Sequence, residues 1–179
     1  MALPPGPTRP AAIDPRGARF TASVTAVLLL ATVALGLAGG TPLTLGERAA
    51  QPAFAVLVVL AAIFVWSAVA GITRNPWSAV FRRLIRPRLA APVELEDSAP
   101  PTFAQGVGAV VTLAGVALHL AGVPFGVVGA AAAAFDAAFL NAAFGYCLGC
   151  QLYLLLVRAG VIRKRVSAEP PLDRLGPST

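Results

Sequence analysis

Cys147 and Cys150 are the only cysteines in the chain, three apart in Phe144-Gly-Tyr-Cys-Leu-Gly-Cys150. A Cys-x-x-Cys pair can close a disulfide, hold a metal or pass electrons or sulfur. A metal site normally needs four ligands, and the chain has one histidine, His119. That argues against an intrachain metal site, although a dimer would supply four thiolates. Cysteine also serves as a small apolar packing residue, so redox or sulfur chemistry, metal binding and packing all stay open. Asp136 is the one acid inside an apolar stretch. Placing a carboxylate there costs roughly 2.5–3.5 kcal/mol on insertion scales. It is a candidate proton-handling group. The alternative is a hydrogen bond to another span, with Thr25, Thr32 or Ser67 as partner. On a continuous helix Asp136 and Cys147 would share a face about 16 Å apart, too far for direct proton transfer without a water-filled cavity.

The elements that must carry these residues follow from composition. The chain is 57% hydrophobic and 12% charged, with mean hydropathy +0.76. Soluble domains carry about twice that charged fraction. The apolar residues fall in blocks near the ~20 residues a transmembrane helix needs. The spans are expected near 20–38, 53–72, 103–122 and 126–146. Barrel strands would alternate, and these blocks do not. The fold class is an all-α membrane protein with four transmembrane helices. The first block is longer than the ~7–15 residues usual for a signal-peptide core, so it reads as a span even though Gly36–Gly40 is a tolerable cleavage site.

Net charge is +6, but the basic residues flank the spans and form no nucleic-acid surface. Arg9, Arg16 and Arg19 precede the first span. Arg74, Arg82, Arg83, Arg86 and Arg88 lie between the second and third, and Arg158, Arg163, Lys164, Arg165 and Arg174 follow the fourth. The loop between the first and second carries only Arg48, beside Glu47. The positive-inside rule puts both termini and the central loop in the cytoplasm. His119, near the outer end of the third span, reads as an accommodated polar residue.

Between the second and third spans, Asn75 is suited to an N-cap and Pro76 to a first helical position. Trp77, Val80, Phe81, Leu84 and Ile85 follow helical spacing, and Pro87 is expected to stop the helix. This is a short interfacial amphipathic helix with its aromatic face in lipid. Trp77, Arg82, Arg83 and Arg86 are its candidate lipid- or partner-facing residues. Glu94-Leu-Glu-Asp97 reads as an exposed acidic strip balancing nearby arginines. Thr41–Gln51 is a short outer loop. Gly108, Gly115 and Gly122, and Gly36 with Gly40, are expected to let helices approach closely in a tight bundle without a wide pore. Residues 1–12 and 166–179 are expected to be disordered or loose, leaving 13–165 as one domain.

The fourth stretch, Pro124–Val157, is 34 residues, about 51 Å as one helix. A ~30 Å hydrocarbon core crossed at 40° offers only about 39 Å. Either the helix starts late and tilts, or it ends near Phe144 and a second short helix, 147–158, opens after Gly145. The second is favoured because Gly145 suits a C-terminal cap. The new helix would set the thiols over free backbone N–H groups, which favours thiolate. Both solutions put the cysteines in the cytoplasmic half, where a permanent disulfide is disfavoured. A dynamic dithiol is expected.

Asp14-Pro-Arg-Gly-x-Arg-Phe20, Phe81-Arg-Arg-Leu-x-Arg-Pro87, Glu94-Leu-Glu-Asp97, Phe103-Ala-Gln105 and Leu140-Asn-Ala-Ala-Phe-Gly-Tyr-Cys-Leu-Gly-Cys150 resemble the bacterial integral-membrane family catalogued as domain of unknown function 4395. The resemblance covers about residues 13–158 and implies a multi-pass protein of the bacterial inner membrane, with no established activity. Genes of the family often lie beside those for thioredoxin-like proteins and sulfurtransferases. This implies, by association, a cytoplasmic partner of that kind for Cys147 and Cys150. Three readings follow. The first is a membrane dithiol exchanging electrons or sulfane sulfur, with Cys147 as nucleophile and Cys150 as resolving thiol. The second is a small-solute or sulfur-compound transporter subunit titrating at Asp136. The third is a non-catalytic scaffold docking an enzyme through residues 75–97. No phosphate-binding glycine loop, Ser-His-Asp set or haem-attachment sequence is present, so no cofactor is implied.

Overall fold

The computed structural model describes residues 12–162 apart from 41, 43 and 93. The expectations for residues 1–11 and 166–179, and for Arg9, Arg163, Lys164, Arg165 and Arg174, lie outside the described residues. Among the described residues four helices are long and apolar enough to cross a membrane: α1 (Pro15–Ala38), α3 (Pro52–Ala70), α5 (Ala99–Leu120) and α6 (Gly126–Phe144). Between them lie the short helices α2 (Leu45–Ala49) and α4 (Pro76–Val80), and α7 (Leu148–Arg158) follows. The four long helices close a ring in the order α1, α3, α5, α6, and α7 packs on α5. Neighbours run antiparallel. The Arg19 guanidinium at the start of α1 donates to the carbonyls of Ala142 and Ala143 at the end of α6, both at 3.3 Å. At the other end a Cβ on Gly36 would meet the Val128 side chain.

The core is small. Leu29, Leu57, Leu60, Val127, Ala131 and Ala134 form one buried cluster, while Val27, Val59, Trp66, Val69 and Val110 stand exposed on the outside. A bundle apolar outside as well as inside suits a lipid surround, where helices associate by close packing more than by hydrophobic burial. The packing is built on glycine. A Cβ on Gly115 would lie 2.3 Å from that of Ala130, and one on Gly108 would lie 2.6 Å from the Phe64 ring. Gly122 and Gly40 are not part of these contacts: both end helices at positive φ.

Asp14-Pro-x-Gly, a pattern that also suits a turn, starts α1. Asp14 is the N-cap, accepting from the Arg16 N–H, and Pro15 takes the first helical position. The Arg16 guanidinium grips the same carboxylate through both oxygens, at 3.0 and 2.9 Å, and donates to the Ala90 carbonyl at 3.0 Å. β1 (Ala12–Ile13) pairs antiparallel with β2 (Glu96–Asp97), tying the same end of α1 to the segment before α5. Ala12 is therefore a strand residue, against the disorder expected of it. Among the described residues the acids at 94–97 pair with no arginine. Asp97 instead accepts from the Ala99 N–H at 2.8 Å, at the start of α5.

The segment after α3 departs from a single amphipathic helix. Asn75 caps α4 by accepting from the Trp77 N–H, and its amide donates to Ser67 Oγ at 2.9 Å. Phe81–Ile85 then wind as a π turn, and Arg86–Arg88 as a 3-10 turn that includes Pro87. A π turn closes i→i+5, so the apolar stripe no longer shares one face. Phe81 turns inward to 3% exposure, over Gly17 and against the Phe20 ring at 5.9 Å. Val80 and Leu84 are left outside. The aromatic face expected in lipid is thus partly a contact with α1.

Gly115→Ala should destabilise the bundle by about 1–3 kcal/mol, because the α5–α6 approach must open. Gly129→Ala, whose new methyl meets nothing within 4 Å, should be neutral or gain up to about 1 kcal/mol of helix propensity. Thermal unfolding of both variants in one detergent checks the contrast. The Arg16 hydrogen bond holds the Asp14 carboxyl below its ordinary range, against the opposing effect of burial. A lowered folded value contributes stability that is full above the unfolded value, near 4, and fades as pH falls through the folded one. Asp14→Asn should therefore lower the unfolding temperature at neutral pH, with the gap to wild type closing in acid.

Candidate functional site

The site is built by the break between α6 and α7. Gly145 ends α6 in the left-handed region at φ 69°. Its N–H bonds to the Asn141 carbonyl at 3.0 Å, and the Tyr146 N–H bonds to that of Leu140 at 3.2 Å. The chain turns through Tyr146 and re-enters a helix with Cys147 as N-cap. Cys147 carries the first helical bond, its carbonyl accepting from Gln151 at 3.0 Å. Its Sγ accepts from the Cys150 N–H at 3.3 Å.

Positions three apart at a helix start bring their side chains together. Cys147 and Cys150 have Cα atoms 5.2 Å apart and are joined in a disulfide. The sequence points to a dynamic dithiol; in the structure the pair is closed, and among the described residues there is no free cysteine. Both cysteines are half-buried. Between them Gly149 presses on α5, where a Cβ would fall 2.5 Å from that of Ala104 and 2.6 Å from its Cα. The Phe103 and Tyr153 rings pack at 5.6 Å beside this crossing, with Tyr153 buried.

Cys147 also forms part of the wall of a cavity of about 260 Å³ between α1, α5, α6 and the first turn of α7. The wall is mostly alanine, glycine and valine, with Phe64 seated over Gly108. Its polar members are Thr21, Thr25, Gln105 and Asn141. Amides within spans commonly hydrogen-bond across helices; these two bond to no other residue among those described and line this space. The bundle is thus less filled than the small-residue faces implied.

Asp136 is not part of this site. It is exposed on the outer side of α6, does not line the cavity, and has no partner among the described residues. The hydroxyls proposed to meet it are engaged or elsewhere: Thr32 donates to Leu28, Ser67 to Ile63, and Thr25 faces the cavity. The shared face with Cys147 is lost because the helix breaks at Gly145. His119 is buried at the opposite end of α5, with Nε2 at 3.1 Å from the Arg48 carbonyl and its ring stacked on Phe54 at 5.2 Å. Fifteen residues of α5 separate it from Ala104, about 22 Å, so it cannot join the cysteines. Arg82 donates to the Thr73 carbonyl at 2.6 Å, Arg83 and Arg86 are exposed, and Trp77 is half-buried. None of the four reaches the disulfide site. In the outer loop Thr44 and Glu47, at the Thr-x-x-Glu spacing of a capping box, form that reciprocal cap and start α2.

Gly149→Ala should cost about 1–3 kcal/mol by forcing α7 off α5, and Ala104→Gly should recover part of the loss by removing the opposing methyl. A double-mutant cycle on unfolding temperature reads the coupling.

A family model described as domain of unknown function (DUF4395) matches residues 13–158. No curated protein and no solved structure matches the chain.

Proposed function

The chain belongs to the DUF4395 family, and from the geometry of its cysteine pair we propose that it is a membrane thiol–disulfide carrier in which Cys147 and Cys150 cycle between disulfide and dithiol. The observation that carries this reading is the position of Cys147. One residue is at once the N-cap of α7, half of the disulfide and part of a cavity wall. A sulfur held only for packing needs none of these.

The charge pattern supports a cytoplasmic location. Arg16, Arg19, Arg74, Arg82, Arg83, Arg86, Arg88 and Arg158 flank the spans at the end that carries the cysteines, against Arg48 at the other. By the positive-inside rule that end faces the cytoplasm. A disulfide on a reducing side reads as one state of a cycle rather than a permanent staple. In the reduced state the Cys150 N–H that points at Cys147 Sγ favours negative charge on that sulfur. The Cys147 thiolate attacks a partner's disulfide and forms a mixed disulfide, releasing one partner thiolate. The Cys150 thiolate then attacks Cys147 Sγ, releases the second, and restores the Cys147–Cys150 bond. Two electrons pass to the partner, and run in reverse the same steps reduce the pair. A thioredoxin-like protein or a sulfurtransferase is the partner class this chemistry suits. The exposed Arg83 and Arg86 beside Leu84 offer it, or anionic lipid headgroups, a basic surface at the same membrane face.

Cys150→Ser should trap the mixed disulfide, seen as a reductant-sensitive adduct of the membrane protein with a thioredoxin-like protein, and Cys147→Ser should not. If, after reduction, neither cysteine of the wild type can be alkylated in native membranes, the pair is inert and the proposal fails.

A further inference from the structure

The cavity beside Cys147 has unmet polar groups. Within the helices, Ser23, Thr32, Ser67, Thr102 and Thr112 each donate to the carbonyl four residues before. Thr21 faces Ser78 Oγ at 3.4 Å. Thr25 does neither. It is 7% exposed and lines the cavity, and among the described residues its hydroxyl has no partner. The side-chain amides of Gln105 and Asn141, on two other helices, are equally free and line the same space. In a bilayer no bulk water satisfies such groups, and leaving them unpaired is costly. The remaining wall is apolar, and one edge is a redox-capable sulfur.

We propose that this cavity binds the headgroup of a lipid-soluble quinone, which accepts electrons from the Cys147–Cys150 dithiol. The inference rests on the redox reading above and adds the oxidant to it. A quinone ring is flat and largely apolar, which suits walls of alanine, glycine and Phe64. Its two carbonyls accept hydrogen bonds from a hydroxyl and from amide N–H groups, the donors left over here. A volume of about 260 Å³ is below the ~300–1,000 Å³ of pockets that enclose drug-sized ligands, so it holds a ring and leaves the isoprenoid tail to lipid. The chemistry balances. The Cys147 thiolate adds to the quinone ring, forming a C–S bond. The Cys150 thiolate attacks Cys147 Sγ, the S–S bond forms and the C–S bond breaks. The electron pair moves onto the ring, and the two thiol protons end on the quinol oxygens. A dithiol loses two electrons and two protons, and a quinone gains them. Electrons then run from a cytoplasmic thiol partner through the pair to the membrane quinone pool.

The test uses the full chain in lipid nanodiscs, reduced and freed of reductant. A short-tailed ubiquinone, whose fully substituted ring does not retain thiol adducts, is one oxidant, and glutathione disulfide is the other. Quinol is followed by absorbance and the disulfide by alkylation mass shift. The expected result is one quinol per disulfide formed. Thr25→Val and Asn141→Leu should each slow the quinone reaction about five- to ten-fold, the effect of losing one hydrogen bond to a bound ligand, while oxidation by glutathione disulfide is unchanged. A pair that glutathione disulfide oxidises but that leaves the quinone unreduced overturns the quinone site and leaves the redox reading standing. A pair that neither oxidant re-forms overturns both. Wild-type quinone rates in both variants overturn the assignment to this cavity.

Discussion

A hydrocarbon core about 30 Å thick cannot accommodate Pro124–Val157 as one helix, and the site follows from how the chain resolves that excess. The break after Phe144 lets α6 end at the membrane face and α7 begin again beside it. A continuous helix would satisfy the Cys147 and Cys150 amides with carbonyls of the preceding turn. Breaking it frees the first-turn N–H groups, and one of them meets a sulfur. The same break turns α7 onto α5, where the absence of a side chain at Gly149 allows backbone-level contact with Ala104.

Packing by small residues leaves a second consequence. Where glycine meets a larger group, as at Gly115 with Ala130 and Gly108 with Phe64, the helices close. Where alanines face one another across α1 and α6, no side chain is long enough to fill the gap, and the cavity lies there. Among the described residues Thr25, Gln105 and Asn141 are thereby left without side-chain partners, on the flank where Cys147 sits. Donors left unmet, among the described residues, beside the Cys147 sulfur have the makings of a binding site. A purely structural bundle would gain from filling the gap with leucine.

Much of this was legible in the sequence, for physical reasons. Span number follows from apolar block length, and the break from the arithmetic of rise per residue together with Gly145. The cap at Asn75 follows from Asn-Pro chemistry. What was hidden has physical reasons too. The π turn at Phe81–Ile85 shifts the register of a stripe that looks helical, so Phe81 went inward unannounced. α6 is so rich in alanine that polarity does not mark its inner face. Side-chain size does, and Asp136 stands on the outside as a result. The cavity is a property of several helices together, and no single stretch encodes it. Asp14-Pro and Thr44-x-x-Glu47 were readable as helix starts, because a short polar side chain before a proline, or three residues before a glutamate, caps a helix as readily as it makes a turn.

The central claim is that Cys147 and Cys150 form a redox couple at the cytoplasmic face. Labelling with a membrane-impermeant maleimide, in right-side-out and inverted vesicles, with and without a permeant reductant, tests it most directly. The account predicts no labelling before reduction, and after reduction labelling only in inverted vesicles, where the cytoplasmic face is outside. Labelling in right-side-out vesicles would contradict the topology, and a pair that never labels after reduction would contradict the redox couple.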